Sequence, residues 1–418
     1  MSDVSGLPLL DPHPRRGYAP DGLQGHLGSL AASLGVGVPA PGAAPVRELP
    51  PAQGVVSVLL DGLGWSLVER YAGHAPFLRQ LLRSGGPEVT ARPMVCGYPS
   101  TTAASLATHA TGLAPGEHGH LGYAVRDPQR DVVFNHLSWK DGPDPLEWQP
   151  RPTLFGRLAD AGVRVARVGH QRFATTALTR AAQRGGSYLP ADDLDAWVST
   201  GLEVVRGARP TEPVVAFLYW PTLDQVGHRT GPGSMEWTAE LERIDAALAE
   251  LVRGLPRGVH LGLTADHGML AIDASAGFTT ADHPHLLTGV AAVAGEPRCR
   301  YLYLPREDES PAGRALPADP SRLADVAATW RETITTHAGP DAALVLTREE
   351  VVADGWFGPT VAPEHLARIG DVVVAATDPT FTVVDPSADP QSITAMRGWH
   401  GGIHPEELLV PDVVVRGA

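Results

Sequence analysis

The chain has 418 residues, 43% of them hydrophobic, and 33 Lys and Arg stand against 47 Asp and Glu for a formal charge of -14. This suits one large α/β domain with an inserted subdomain, and the acidic balance argues against a protein built to lie along nucleic acid or an anionic membrane. Two isolated cysteines, Cys96 and Cys299, exclude both a disulfide framework and a zinc–thiolate cluster.

Residues 1–50, rich in Gly, Pro and Ala, read as a segment wrapped over the main domain, with one helix over Leu23–Leu34. The opening MSDVSGLPLLDPHPRRG has no basic head followed by an apolar core, and no apolar run is long enough to span a bilayer. The expectation is a soluble cytoplasmic protein with no membrane partner. VVSVLLDGLG (Val55–Gly64) is a short apolar run ending in Asp-Gly, as buried parallel strands often are. An amphipathic helix over Ala75–Gly85 follows. Thr153–His170 reads as helix, Gly stop and strand, and Pro213–His228 as a buried strand running into polar residues. A long amphipathic helix starts at Ser234 and ends near Arg253, and Val259–Leu270 is a strand running into Asp-His-Gly. Between Pro284 and Ala395 the texture changes to a β-α-β-β pattern: a strand at Arg300–Pro305, a helix over Pro320–His337, then AALVLT and IGDVVVAAT. The predicted division is a wrapping segment (1–50), an α/β core (51–283 and 396–418) and an inserted α+β cap (284–395).

Four separated places set Asp or His just past an apolar strand or near the chain's end: Asp61, Asp224 with His228, Asp266 with His267, and His400. Each alone has an ordinary explanation, such as a turn residue or a surface pair. In open α/β sheets, however, the carboxyl ends of parallel strands converge on one crevice. Carboxylates and imidazoles together suit zinc or manganese. Three Asp and three His can hold two ions about 3.5–4 Å apart, clamping the attacking and leaving oxygens of a phosphoryl displacement. Two dications balance three aspartates and one ionised hydroxyl, so such a site accepts a phosphodiester monoanion. The chain has a single lysine, Lys140, so nearly all its other basic charge is arginine.

CGYPSTTAASLATHATG (Cys96–Gly112) is hydroxyl-rich, uncharged and able to start a helix. As an isolated segment it reads as an N-cap. In company with the strand-end motifs it completes a pattern. The ordered set LLDGLGW, YPSTTAAS, TGLAPGEHG, DQVGH, ADHGM and WHGG resembles the alkaline phosphatase superfamily. Within it the chain is most similar to the nucleotide pyrophosphatase/phosphodiesterase (type I phosphodiesterase) branch and the related phosphonoacetate hydrolases. The resemblance implies a three-layer αβα sandwich with a central, mostly parallel sheet, and a metal-dependent hydrolase of phosphodiester or pyrophosphate bonds in nucleotide-like substrates. It places the nucleophile three residues after Pro99, at Thr102, and so implies a covalent phosphothreonine intermediate. It assigns Asp61, Thr102, Asp266 and His267 to one divalent ion, and Asp224, His228 and His400 to the other. Zinc is the expected metal, with manganese the alternative.

Two departures from the family pattern bear on substrate. Nucleotide-cleaving relatives often carry an Asn three residues after the nucleophile, where this chain has Ser105, here the candidate phosphate contact together with His404. Classical phosphomonoesterases set an Arg near their nucleophile, and this chain has no Lys or Arg between Cys96 and Tyr123. A phosphonate hydrolase or promiscuous monoesterase is the alternative within enzymes, and a catalytically silent binding protein the alternative outside them. Trp65, Tyr98, Tyr123 and Trp399 flank the motifs, as stacking partners for a base or as packing. Arg397 reads as a surface or supporting residue, and His283 and His285 as candidate cap-lining groups. The expected partner is a small anionic phosphate ester, with oligomeric state left open.

Overall fold

The computed structural model describes residues 13–19, 21–37, 47–84, 88–272, 278–305, 319–389 and 391–417. Seven strands form the central sheet: β1 (Gly54–Leu60), β2 (Val89–Val95), β3 (Arg164–Gly169), β4 (Ser187–Pro190), β5 (Val214–Trp220), β6 (Val259–Thr264) and β7 (Leu409–Val415). They lie in the order β2-β7-β6-β1-β5-β3-β4. From β6 to β4 every pairing is parallel, and β7 runs against both its neighbours.

Strand periodicity sorts side chains between two cores. Val56, Val58 and Leu60 of β1 join one core, and Val55 and Leu59 join the other, as alternation along a pleated strand requires. Helices α1 (Leu23–Ala32), α2 (Thr102–Thr111) and α3 (Leu154–Asp160) cover one face of the sheet. Helices α4 (Leu194–Arg206) and α6 (Met235–Arg253) cover the other, and the short α5 (Thr222–Thr230) follows β5. Both faces of the mostly parallel sheet are therefore buried, which makes a three-layer αβα sandwich. Helix α6 starts where Ser234 accepts from the Trp237 amide, and it buries Trp237, Leu241, Ile244, Leu248 and Leu251 against the sheet.

A second, antiparallel sheet has the order Ala292–Glu296, Cys299–Tyr303, Val372–Ala376 and Ala343–Thr347. The β-α-β-β pattern expected here gains a strand. Ala292–Glu296 pairs tightly with Cys299–Tyr303, but its AVAGE sequence is too small-sided to stand out as an apolar run. Helix α7 (Pro320–Ala338) packs Trp330 and Ile334 on one face of this sheet. The other face sets Tyr301, Tyr303 and Val373 against Tyr98, Phe134, Trp148 and Phe357. One apolar cluster thus joins the smaller sheet to the segments around α2.

Within residues 1–50, residues 1–12, 20 and 38–46 lie outside the described residues, as does Gly85, the expected end of the Ala75–Gly85 helix. That helix spans Pro76–Arg83. From the described part, α1 packs Leu27 and Leu30 against the α2 face. Tyr18 braces the loop before α2, donating to the Tyr98 carbonyl at 2.7 Å and accepting from its amide at 2.6 Å. Among the described residues, no helix is long and apolar enough to cross a membrane.

Candidate active site

The parallel strands β1, β5 and β6 are adjacent, so the residues past their carboxyl ends meet at one sheet edge. Asp61 follows β1, and its amide donates to the Trp220 carbonyl at the end of β5 at 3.0 Å. The next residue must be glycine: Gly62 has φ +75°, and a Cβ there would sit 3.0 Å from the Asp224 Cβ. Its amide donates to Asp266 Oδ1 at 3.1 Å. One backbone turn therefore contacts all three aspartates. Asp224 lies in the first turn of α5 with His228 four residues later, and Asp224 Oδ1 is 3.4 Å from His228 Nε2. His400 arrives on the loop after the Gly398–Trp399 strand and lies 3.8 Å from the same oxygen.

The three histidines share a tautomer. Nδ1 of His228 faces the Gly398 carbonyl at 2.8 Å, that of His267 the Gly268 carbonyl at 3.0 Å, and that of His400 the Ser100 carbonyl at 2.8 Å. A carbonyl only accepts, so each Nδ1 carries a hydrogen, and in the neutral ring Nε2 is then the nitrogen that offers a lone pair. Those lone pairs turn inward. His228 and His400 set Nε2 against Nε2 at 3.2 Å, and His267 Nε2 lies 3.5 Å from both Asp61 Oδ1 and Asp266 Oδ2. Backbone partners that fix imidazole orientation in this way are the usual support of metal-binding histidines. Burial, then the neighbouring His267 and His228, hold the His400 imidazole well below its ordinary pKa, so it stays neutral.

The aspartates are equally exposed in their chemistry and hidden from water. Asp61 Oδ1, Asp224 Oδ1 and Asp266 Oδ2 are buried with no hydrogen-bond partner. Burial, then the charges of Asp266 and Asp224, push the Asp61 carboxyl well above the usual range, although the Tyr219 hydroxyl donates to it. Burial also raises Asp266. Three orphaned carboxylate oxygens and three inward lone pairs form a donor set that fits divalent cations. Two groups of ligand atoms each lie within 4.8 Å: Asp224, His228 and His400, and Asp61, Asp224 and His267. Asp224 thus sits between the two groups, and Asp266 reaches the second through His267.

Thr102 opens α2, and its Oγ1 lies 3.2 Å from His267 Nε2. The first N–H groups of a helix lack intrahelical partners and favour an anion at that end. The preceding loop is fixed from behind: Ser100 donates to the Gly402 carbonyl at 2.9 Å and accepts from the Gly401 amide at 3.0 Å. A cavity of about 420 Å³ opens over this edge and is lined by Asp61, Thr101, Thr102, Asp224, His228 and His400. Tyr123 and Trp399 also line it, while Trp65 and Tyr98 do not.

The two residues expected at the phosphate oxygens lie outside this lining. The Ser105 hydroxyl is buried against the Cys96 thiol. His404 caps the short helix Pro405–Leu408, its Nδ1 accepting from the Glu406 amide at 3.2 Å. His283 stacks on Phe278 and His285 pairs with Thr333, both away from the cavity. Arg397 contributes a backbone amide to the His228 carbonyl at 2.7 Å.

Several lining residues carried no motif. Glu296, the last residue of its strand in the smaller sheet, reaches the site with Oε1 unpartnered and Oε2 3.8 Å from His400 Nδ1. Burial pushes its carboxyl up to about 8, against a hydrogen bond from Thr101. Gly401, at φ +112°, makes the room: a Cβ there would lie 2.6 Å from the Glu296 carboxyl carbon. Arg167 and Gln183 line the cavity from β3 and from the end of the helix at Ala177–Ala182.

Residues 55–403 match the type I phosphodiesterase/nucleotide pyrophosphatase family. The chain belongs to that family. Among curated members, the mouse ectonucleotide pyrophosphatase/phosphodiesterase family member 1 is 25% identical over 234 residues, covering 50% of this chain. A venom phosphodiesterase of Crotalus adamanteus is 26% identical over 218 residues. The match spans only 23% of the mouse protein's own length. Two solved structures share the fold. Murine ectonucleotide pyrophosphatase/phosphodiesterase 5, in an inactive form in complex with AMP, superposes with a TM-score of 0.62 at 18% identity, covering 86% of this chain and 87% of that one. Phosphonoacetate hydrolase from Sinorhizobium meliloti, in complex with phosphonoformate, gives 0.61 at 21% identity over 88% and 92%.

Proposed function

We propose that this phosphodiesterase-family chain hydrolyses phosphodiester or pyrophosphate bonds of small, nucleotide-like substrates through a phosphothreonine at Thr102. The observation that carries the reading is the Thr102 hydroxyl 3.2 Å from His267 Nε2, at a helix start, within a buried set of unpartnered carboxylate oxygens and imidazole lone pairs. Asp61, Asp266 and His267 would hold one divalent cation beside Thr102, and Asp224, His228 and His400 a second, zinc or manganese. When bound, the cations supply Lewis acidity that lowers the pKa of a nearby hydroxyl and neutralises charge on the phosphoryl oxygens.

The chain's own residues do the rest. Thr102 Oγ attacks phosphorus in line with the leaving oxygen, so the threonine ester forms as the P–O bond to the leaving alcohol or phosphate breaks. Water then attacks the same phosphorus, restoring the threonine hydroxyl and releasing the second product as a phosphate monoester. The first N–H groups of α2 face the site where non-bridging oxygens gather charge, and fixed dipoles there favour the transition state. The Nδ1–carbonyl bonds of the three histidines keep Nε2 aimed while charge shifts.

The site favours a diester over a monoester. The segment that carries Thr102 has no arginine or lysine between Cys96 and Tyr123 to hold a dianion, and the cavity's described arginines, Arg167 and Arg172, come from β3 and the turn after it. Turnover of bis(4-nitrophenyl) phosphate by zinc- or manganese-loaded protein tests the activity. Acid quenching during turnover, followed by peptide mass spectrometry, tests the intermediate: phosphate on Thr102 is expected. Turnover in Thr102→Ala at the wild-type rate overturns the assignment.

A further inference from the structure

The described residues include five buried arginines, and four of them donate to carboxylate or carbonyl oxygens, although Arg300 Nη1 and Arg368 Nε are left without a partner. Arg298 forks onto Glu407 at 2.7 and 2.8 Å. Arg300 pairs with Asp389, and Arg348 with Asp371 at 2.7 Å. Arg368 donates to the Gly119 and Trp148 carbonyls at 3.0 and 3.2 Å. Arg167 is the exception. It is 9% exposed, its Nε has no hydrogen-bond partner, and among the described residues no carboxylate pairs with it.

Its position sharpens the anomaly. Val165 and Arg167 lie on the same face of β3, opposite Val215 and Phe217 of β5, and Val165, Val215 and Phe217 all belong to the apolar core of that face. Arg167 therefore occupies an inward position where alternation calls for an apolar side chain. Its guanidinium lies over the Tyr188 ring, 5.5 Å from the centroid. Across the cavity wall, the Gln183 amide nitrogen is also buried without a partner. Both residues line one cavity. Leaving buried donors unmet costs about 1–3 kcal/mol each, more for a charged group. Tyr219, whose hydroxyl donates to Asp61, is one strand and two residues from Arg167. On the order of 8 Å separates the two backbones, about the span of one aromatic ring with its substituents.

We propose that Arg167, with Gln183, binds an oxyanion on the substrate portion remote from the scissile phosphate, so that the preferred substrates carry a second acidic group. This rests on the phosphodiesterase reading for the scissile end only. Arg167 acts by bidentate donation to a carboxylate or phosphate, a geometry that a guanidinium matches and an ammonium does not. Arg172, over the Phe173 ring at 4.7 Å, adds positive charge to the same lining.

The test separates binding from turnover. Calorimetry on metal-loaded wild type compares phenylphosphonate, (4-carboxyphenyl)phosphonate and 1,4-phenylenediphosphonate. At least one acid-bearing ligand binds about tenfold tighter or more than phenylphosphonate, and which one does so distinguishes carboxylate from phosphate recognition. In Arg167→Met that advantage disappears while phenylphosphonate binding changes less than about twofold; Gln183→Leu removes part of it. In turnover, a 4-nitrophenyl diester with an acidic second arm loses kcat/KM through KM in Arg167→Met, and bis(4-nitrophenyl) phosphate does not. Equal binding of all three ligands by wild type overturns the proposal without any variant, leaving Arg167 a water-solvated structural residue. Absence of diester turnover together with retained acid preference in binding would count against the hydrolase reading alone.

Discussion

Two buried regions of this chain treat carboxylates in opposite ways. Beside the smaller sheet, Glu407 receives a two-pronged bond from Arg298 and an amide bond from Gly402 at 2.9 Å. Asp371 and Asp389 likewise have their arginines. At the carboxyl edge of the central sheet, Asp61, Asp224 and Asp266 crowd together, each with a buried oxygen that no described Lys, Arg or other group answers. Burying a charge is costly unless it is paired. Among the described residues, one region is complete, and the other presents a donor set that fits cations.

The largest expected effect lies at the incomplete region. Thr102→Ala should lower kcat by about 1,000-fold or more, with metal content retained. Loss of metal content in that variant would instead give Thr102 a structural part in assembling the site. The complete region should respond in stability. Arg298→Met strands Glu407 in the interior and should destabilise the protein by about 3–5 kcal/mol in chemical denaturation. In chelated protein, Asp61→Asn should have the reverse sign, raising the unfolding midpoint because it removes one of three repelling charges. If both variants destabilise the chelated protein equally, the two regions do not differ as described.

A pH series sharpens the same contrast. Asp61 and Asp266 are held above the ordinary carboxylate range. Between the unfolded and folded pKa values the native state binds more protons than the unfolded state, so stability falls as pH rises through that window. The stability gap between chelated wild type and chelated Asp266→Asn should therefore widen in favour of the variant from mildly acidic to neutral pH. Loading with metal should abolish the trend. The smallest effect is expected at the supporting residue Tyr219, whose hydroxyl donates to Asp61. Tyr219→Phe should weaken metal affinity by about 10–100-fold while leaving the fold intact.

How much of this was legible in the sequence follows from where each residue sits. Asp61, Asp224 and Asp266 follow apolar runs, and a polar residue ending such a run announces a strand end at the sheet edge. The α/β alternation was legible for the same reason. Strand β2 was not: its sequence VTARPMV contains Arg92 and Pro93, and most of it is only half-buried at the edge of the sheet. Ser105 has the right spacing along the chain, yet it is buried and lies outside the cavity lining. Glu296 comes from the smaller sheet, more than a hundred residues from the α2 motif, and only tertiary packing brings it near His400. Arg167 left one trace, an arginine at an inward position of the apolar strand RVARVG, which short strands with both faces buried make hard to read.

The central claim is that the aspartate–histidine cluster exists to hold two divalent cations, and metal titration tests it most directly. Chelator-stripped protein titrated with zinc, and separately with manganese, should take up two ions per chain by calorimetry and elemental analysis. Asp224 belongs to both ligand groups, so Asp224→Asn should weaken both sites, by about 100-fold or more. No uptake by wild type, or uptake that Asp224→Asn leaves unchanged, contradicts the account.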